Sequence, residues 1–578
     1  MPFRNIETHF SQAPQAKIKR SSFKYNKPVK TTFNAGDLVP FLVEEVLPGD
    51  TFDLKLSKVI RLLTPLHPTM DNLYLDTYFF FVPNRFIWDN WTKFMGESDK
   101  AWVDPTVHVP PKFLIGGASQ SEGVSFRLGK LEPQSILNYL GIPSYTEDSK
   151  QKVDILALPF NRYCKVWNDW FRSENLCDVL PIYTGDGDYP LVYLNGYNAF
   201  MNSFFGGTHL FQEADSCLKV AKFADYFTRA LPQPQKGADV LIPAGGLVEM
   251  NPDKSKLASS TAGFRTVDSQ GNISYNPGVD FFPYNYGSAP GNMVVGDLTD
   301  PTTPTNTRIL YDPKDSLVLN GLEITVNNLR LAMQTQKLLE RDARGGTRYI
   351  ELIKSHFNVI SPDLRLQRSE YLGGKRTLIN MSEVIQTSES TTNSPMGNLA
   401  GRSITTGIED SFIKSFTEHG YIIGVMCVRP DRTYSQGLEK SWFRFNRLDY
   451  YFPVLANIGE MPVLNREIYM PNKGESVAPD EVFGYQEAWS EYRTQKGRNT
   501  GFMQPGISGS LSSWTYGDNY TSTPMLSSEW LYQGKSEIDA TLAVPSSTAP
   551  QFIADLLVYG KAVRPMPVYS IPGLVDHN

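Results

Sequence analysis

Cysteine is scarce in this chain: four residues in 578, at positions 164, 177, 217 and 427. They form neither a CxxC pair nor a dense framework, which excludes a disulfide scaffold and a cysteine zinc site and fits free thiols in a reducing compartment. Histidine is nearly as thin. The seven His, at 9, 67, 108, 209, 356, 419 and 577, contain no HExxH and no i,i+4 pair, so the usual zinc-binding helix is not expected. Long apolar runs are missing too. FFFV (79–82) and IIGVMCV (422–428) are far too short for a bilayer span, and MPFRNIETHFSQAPQ at the start has no apolar signal-peptide core. No membrane insertion is expected. Net charge is only −6, so there is no global basic field for nucleic acid.

Signatures of catalysis fail in the same way. YLGGKRT (371–377) lacks the earlier glycine of a P-loop and has Arg376 where Ser or Thr would ligate Mg²⁺; a basic turn is the better reading. GISGS (506–510) has a glycine one place early for a nucleophile elbow. TGDGDYP (184–190) has Asp186 and Asp188 but nothing to complete an EF-hand loop, and reads as a turn. Paired carboxylates are inevitable among 61 acidic residues and carry no catalytic weight without geometry. No enzyme, cofactor or metal is expected.

What the chain has in quantity is turn-formers and rings. Forty-four Gly, 40 Pro and 12% aromatics point to many short strands and turns, a mainly β protein. Strand signals begin at LVPFLVEEVL (38–47), turn at PGD (48–50) and continue in TFDLKLS (51–57), where Phe52, Leu54 and Leu56 alternate with polar residues. LYLDTYFFFVP (73–83) is apolar on both alternate faces: Leu73, Leu75, Phe79 and Phe81 on one, Tyr74, Tyr78, Phe80 and Val82 on the other. Such a strand is expected to be covered twice, by the core and by a second layer or a neighbouring chain. Helices are expected at about 85–94, 132–140, 158–173, 216–230 and 327–345, and strands again at 420–430, 536–545 and 552–567. Glu340 and Arg344 form an i,i+4 pair on the last helix.

Four segments follow: a basic extended arm (1–36), a β-rich part with helical insertions (37–234), a surface insertion (235–326) rich in Pro, Gly, Asn, Ser and Thr, and a second β-rich part with long loops (327–578). Residues 1–30 carry seven basic groups and one acid, leaving the arm at +6 against −12 for the rest. Lys17, Lys19, Arg20 and Lys24, close to Phe23 and Tyr25, are candidates for contact with single-stranded nucleic acid, cations on phosphates and rings on bases. The other strong signal is nine rings in the 21 residues from Tyr74 to Phe94. A monomer would not leave that surplus exposed, so Tyr78, Phe80, Trp88 and Trp91 are candidate packing or subunit-interface anchors. A rival of another class is a carbohydrate-active or carbohydrate-binding β-sandwich using its Trp and Tyr as sugar platforms, which requires a cleft.

Longer phrases carry more. VLPGDTFDLKL (46–56), TPLHPTMDNLYLDTYFFFVPNRFIWDNWTKFMGE (64–97), NDWFRSENL (168–176), LPQPQKG (231–237) and KLLERDARGGTRYIELIKSHFNVISPDLRLQRSEYLGG (337–374) closely resemble the major capsid protein family of the Microviridae, in its gokushovirus branch. The resemblance spans most of 30–235 and 325–570 and omits 238–320. It implies an eight-stranded antiparallel jelly-roll β-sandwich, the single viral jelly roll, with large inserted loops and several helices. It also implies sixty copies in a T=1 icosahedral shell around circular single-stranded DNA, assembled in a host bacterium. The variable insertion would form a protrusion near the threefold axes and serve attachment to a bacterial surface receptor. An internal scaffolding protein and a minor pilot protein are the further partners implied.

Overall fold

The computed structural model describes residues 19–98, 107–116, 121–122, 125–145, 151–206, 210–238, 240, 326–387, 396–397 and 399–569, with short strand segments at 248–250, 265–267, 273–275, 308–310 and 317–319. Eight strands make the frame: β1 Ser21–Phe33, β2 Val39–Val46, β3 Thr51–Leu62, β4 Leu73–Pro83, β5 Glu370–Leu378, β6 Thr405–Ser415, β7 Gly420–Pro430 and β8 Phe552–Arg564. They form two four-stranded sheets, ordered β1-β8-β3-β6 and β5-β4-β7-β2, with every pairing antiparallel. The first strand thus pairs with the last, the second with the seventh, the third with the sixth and the fourth with the fifth. Nested pairing of this kind results from rolling up one long hairpin, the connectivity of a jelly roll.

Alternation in the strands builds the core between the sheets. Phe52, Leu54 and Leu56 on β3 turn inward with Phe33, Phe41, Phe79, Phe81, Ile422 and Leu556. The turn at 48–50 is fixed by two features: Gly49 takes φ +91°, which only glycine adopts freely, and the Asp50 carboxylate accepts the Leu47 N–H at 2.9 Å. YLGGKRT is not a turn but most of β5, with a bulge between Tyr371 and Gly373. A side chain at Gly374 would place its Cβ 2.2 Å from the Thr77 carbonyl oxygen, so the glycine permits close strand approach rather than cradling phosphate. Arg376 on the same strand donates to Asp76 at 2.8 Å.

β4 is covered on both faces. Leu73, Leu75, Phe79 and Phe81 join the inter-sheet core, while Phe80 and Val82 join a second core and Tyr78 packs against it. The second cover comes from the same chain. It is supplied by the insertion between β4 and β5, where α1 (Leu158–Val166) runs into a π-turn at Trp167–Phe171 and α2 (Leu191–Phe205) follows Pro190. Tyr163 donates to the Leu38 carbonyl at 2.8 Å, and Trp167 Nε1 donates to the Lys219 carbonyl at 2.8 Å. These bonds tie the helical layer to the sandwich. All four cysteines are free and buried.

Three further expectations of secondary structure fail. Residues 216–230 are not helical: Leu38 N–H donates to Leu218 O (2.9 Å), Val220 N–H to Gly36 O (2.8 Å) and Gln533 N–H to Val220 O (2.9 Å). Backbone pairing on two sides, with Lys219 buried in an ion pair to Asp37, outweighs helical spacing. Residues 536–545 begin with the short helix Ser536–Asp539 rather than a strand. Residues 85–94 divide into the 3₁₀ turn Asn84–Phe86 and one α-turn, Trp91–Phe94.

The chain divides into two compact units, residues 237–339 and the remainder. In the first, Arg265–Val267 pairs antiparallel with Ile273–Tyr275 and Arg308–Leu310, and Val248–Met250 pairs with Leu317–Leu319. Most of the expected surface insertion lies outside the described residues. α3 (Val326–Gly345) ends at Gly346, φ +90°, and α4 is Tyr349–Phe357. Arg344 reaches Glu460 and, at 3.8 Å, Glu487. The long insertion 431–551 between β7 and β8 has its own small core of Val463, Ile468 and Phe483 with Tyr226 and Phe227. No helix among the described residues is long and apolar enough to cross a membrane.

Candidate subunit and nucleic-acid interfaces

The aromatic block packs largely within the protomer. Phe80 is buried with its ring 5.4 Å from Trp170 and 5.7 Å from Tyr371. Tyr78, half-buried, meets Phe171 edge-on at 5.4 Å. Trp88 is fully buried and donates its indole N–H to Asp186 Oδ1 at 2.7 Å. Trp91 is half-buried between Trp88 and the His419 ring. Asp186 is a hub, accepting also from Asn90 (3.1 Å) and sharing a 2.7 Å bond with His108. Burial alone would raise its pKa, but the bonds from His108, Trp88 and Asn90 prevail and hold the carboxyl below the ordinary range. The TGDGDYP run therefore anchors protein groups, and no cluster of potential metal ligands occurs among the described residues.

The basic arm is split by strand geometry. Lys17 lies outside the described residues. Lys19 and Arg20 are exposed just before β1, and Arg20 donates to the Gly49 carbonyl and, at 3.3 Å, to Thr51 Oγ1. Within β1, successive side chains point to opposite faces. Phe23 and Tyr25 share the inner side and are half-buried, whereas Lys24 points to solvent. Tyr25 donates its hydroxyl to Glu44 at 2.8 Å and sets its ring edge-on to Phe52 at 6.5 Å. Its ring and hydroxyl are thus engaged within the protomer.

Exposed rings are concentrated elsewhere, in a belt from Leu438 to Ile458 that sequence reasoning did not single out. Trp442 is 72% exposed, Phe445 83% and Val454 94%, with Leu448, Tyr450, Tyr451 and Ile458 exposed beside them. The belt is built from three 3₁₀ turns, Lys440–Phe443, Arg447–Asp449 and Pro453–Leu455. Polar groups pin each one. Asp449 accepts the N–H groups of Phe445 (2.9 Å) and Asn446 (2.7 Å). Arg444 pairs with Glu491 at 3.0 Å and lies 4.5 Å from the centre of the Tyr492 ring. Arg466 covers the Phe443 ring at 3.9 Å. The backbone is fastened from below, so the apolar groups stay turned outward instead of collapsing.

Rings and aliphatics fixed in contact with water are the mark of an interaction surface. A soluble monomer rarely exposes a contiguous apolar patch beyond a few hundred Å², and burying a large apolar side chain contributes about 1.5–3 kcal/mol. The belt was legible in principle: KSWFRFNRLDYYFPVL is dense in apolar residues but fits neither a period of 2 nor one of 3.6.

Comparison with known proteins agrees with a chain built for association. A family model described as capsid protein (F protein) matches residues 11–574. Capsid protein VP1 of Chlamydia phage 1 is 35% identical, and that of Bdellovibrio phage phiMH2K 36% identical, each across 98% of both chains. Capsid protein VP1 of Spiroplasma virus 4 is 34% identical over 99% of this chain and 98% of its own. A capsid protein is a structural component of the virion rather than an enzyme, and on these matches the chain belongs to the capsid protein (F protein) family of the Microviridae.

Proposed function

We propose that copies of this major capsid protein close into a T=1 shell around circular single-stranded DNA, with the 438–458 belt buried between neighbouring subunits. The observation that carries this reading is the belt itself, apolar, exposed and held rigid by Asp449, Arg444 and Arg466. Pre-organised surface costs little entropy on docking, and in a closed shell each modest contact is repeated by symmetry.

The two sheets differ in a way that supports an orientation. The sheet β5-β4-β7-β2 is covered by the helical layer, whereas the outer face of β1-β8-β3-β6 has no such cover among the described residues, with Lys24, Lys55, Ile553 and Lys561 exposed. The bare face and the arm are assigned to the interior, against the genome. Residues 235–326 are assigned to the exterior protrusion and to attachment at the bacterial surface. An internal scaffolding protein and a pilot protein are the assembly partners proposed from the family resemblance.

The test is assembly in the host. Val454→Asp combined with Phe445→Glu should leave a folded, soluble subunit with unchanged melting temperature and abolish fast-sedimenting particles. Normal yields of shells from that variant would remove the belt from the interface.

A further inference from the structure

An open cavity of about 460 Å³ lies in the helical layer over β5-β4-β7-β2, between the π-turn Trp167–Phe171, the start of α4 and the 3₁₀ turn Asp363–Leu366. Four cations line it, Lys165, Arg172, Arg348 and Arg368, against one carboxylate, Asp169. Two of the four are neutralised from within the protomer. Lys165 pairs with Asp169 at 2.9 Å, and Arg348 pairs with Glu174 and, at 3.2 Å, with Glu351. The other two are not. Among the described residues Arg172 has no ion pair within 4.0 Å, and Arg368 has only Asp363, at 4.0 Å.

Both guanidiniums are nevertheless held in a fixed orientation. Arg172 donates from Nη1 to the Cys177 carbonyl at 2.7 Å. Arg368 donates from Nη2 to the Asp169 carbonyl at 2.7 Å, with its central carbon 3.8 Å from the centre of the Trp170 ring. What remains is the Nε–H of each, buried with no hydrogen-bond partner among the described residues. A buried donor without an acceptor is destabilising, and an oxyanion seated against this wall satisfies both. Burial first, and the Arg348 charge second, pull the Arg368 pKa below its ordinary value, a penalty that a bound anion offsets. Gln367, beside Arg368 on the cavity wall, holds φ +56°, a conformation uncommon for such a residue. Backbone strain of this kind clusters at ligand sites.

We infer that this cavity binds a small phosphomonoester, with its phosphate on Arg172 and Arg368 and its organic body against the apolar part of the wall. Charge and size both select the class. A phosphomonoester carries about −1.5 to −2 at neutral pH and three acceptor oxygens, which suits two guanidiniums without a close ion pair. A carboxylate offers one charge and two oxygens. The cavity is far larger than a bare phosphate and falls in the range of small-molecule sites, about 300–1,000 Å³. Its remaining wall is apolar, formed by Val179, Leu180, Ile182, Ile350 and Leu366, with the exposed Tyr349 beside them. The enclosed genome is not the ligand. Its phosphodiesters carry a single charge each, and the helical layer lies on the opposite side of the sandwich from the bare sheet face.

The test is calorimetric titration of the full-length subunit with phenyl phosphate, alongside benzoate and a tetraglutamate peptide. Phenyl phosphate should bind at one site per subunit and more tightly than either carboxylate probe. Arg172→Lys/Arg368→Lys keeps both charges, removes the Nε–H donors and should weaken binding about tenfold, as expected for losing hydrogen bonds to a charged group. Those arginines also brace backbone carbonyls, so Val179→Asp provides a second variant. Val179 is 61% exposed; the fold should be unaffected, and a carboxylate on the cavity wall should weaken binding by a similar factor. Val192→Asp, equally exposed but outside the cavity, should bind as the wild type does. No binding of phenyl phosphate, or wild-type binding by Val179→Asp, overturns the inference. So does benzoate or tetraglutamate binding as tightly as phenyl phosphate, which would make the cavity a socket for an acidic side chain of another protein. Two sources supply such esters, the host cytoplasm during assembly and phosphorylated groups at the cell surface. Mass spectrometry of small molecules released by denaturing washed particles separates them: a released phosphomonoester points to the cytoplasm, and uptake of phenyl phosphate by particles that release none points to the surface. Neither release nor uptake overturns the inference for the virion.

Discussion

Trp489 donates its indole N–H to the carbonyl oxygen of Leu455 at 2.9 Å, joining a buried ring to the last turn of the exposed belt. The tryptophan holds φ +62°, a conformation uncommon for a bulky residue and maintained by its surroundings. Tyr451 packs edge-on against the same ring at 5.7 Å. The belt's outward presentation therefore depends on a residue that is not itself exposed.

Replacing Trp489 by Phe keeps most of the ring and removes the donor. Loss of one such bond should cost about 1 kcal/mol, a small drop in melting temperature. The larger effect should be on particle yield, because the 453–455 turn loses its tether. Thermal melts and sedimentation of the same preparation check both parts.

Phe80 and Trp88 lie inside the protomer, so their substitution should act on folding before assembly. Phe80→Ala removes a buried ring from among Trp170, Phe171 and Tyr371 and should cost about 3–5 kcal/mol. Denaturant unfolding should show the loss in the unassembled subunit. A stable subunit that fails only to form particles would place Phe80 at an interface instead.

Arg432 and Asp518 form an ion pair in which each side chain is 2% exposed. Burial would raise the Asp518 pKa, but the Arg432 and Lys222 charges outweigh it and hold the carboxyl below its ordinary value. A depressed folded-state pKa gives stabilisation that is complete above the unfolded value, about 3.9 for Asp, and lost as pH falls through the folded one. Asp518→Ala leaves Arg432 buried without this partner and should cost roughly 3–5 kcal/mol at neutral pH. The gap between wild-type and variant melting temperatures should close as the pH falls below the carboxylate range.

Five of the eight frame strands, β2, β3, β4, β7 and β8, were readable because buried strand faces declare themselves by their pattern, as Phe52, Leu54 and Leu56 do, whereas β1 lay in the segment read as an arm, β5 in one read as a turn, and β6 was not singled out. The doubly apolar β4 likewise announced a second cover, though not that the same chain provides it. Helix α2 was missed because LVYLNGYNAFMNSFF is apolar nearly all round and shows no stripe. Residues 216–230 misled because tertiary backbone pairing by Gly36, Leu38 and Gln533 decides their conformation, and no local pattern records it. The ring surplus was sensed in the sequence but placed at Tyr74–Phe94. Density of rings does not separate a packed core from a displayed surface, and only the polar fastening around 438–458 makes that distinction. In the arm, basic residues were visible, but the partition of Lys24 from Phe23 and Tyr25 required the strand and its register.

A reconstruction of particles purified from the host bacterium bears most directly on the central idea that rigidly displayed apolar surface drives this chain to associate with itself. The expected map is a closed icosahedral shell in which Trp442, Phe445 and Val454 are buried against an adjacent subunit. A closed shell with those three side chains facing open solvent would contradict the account.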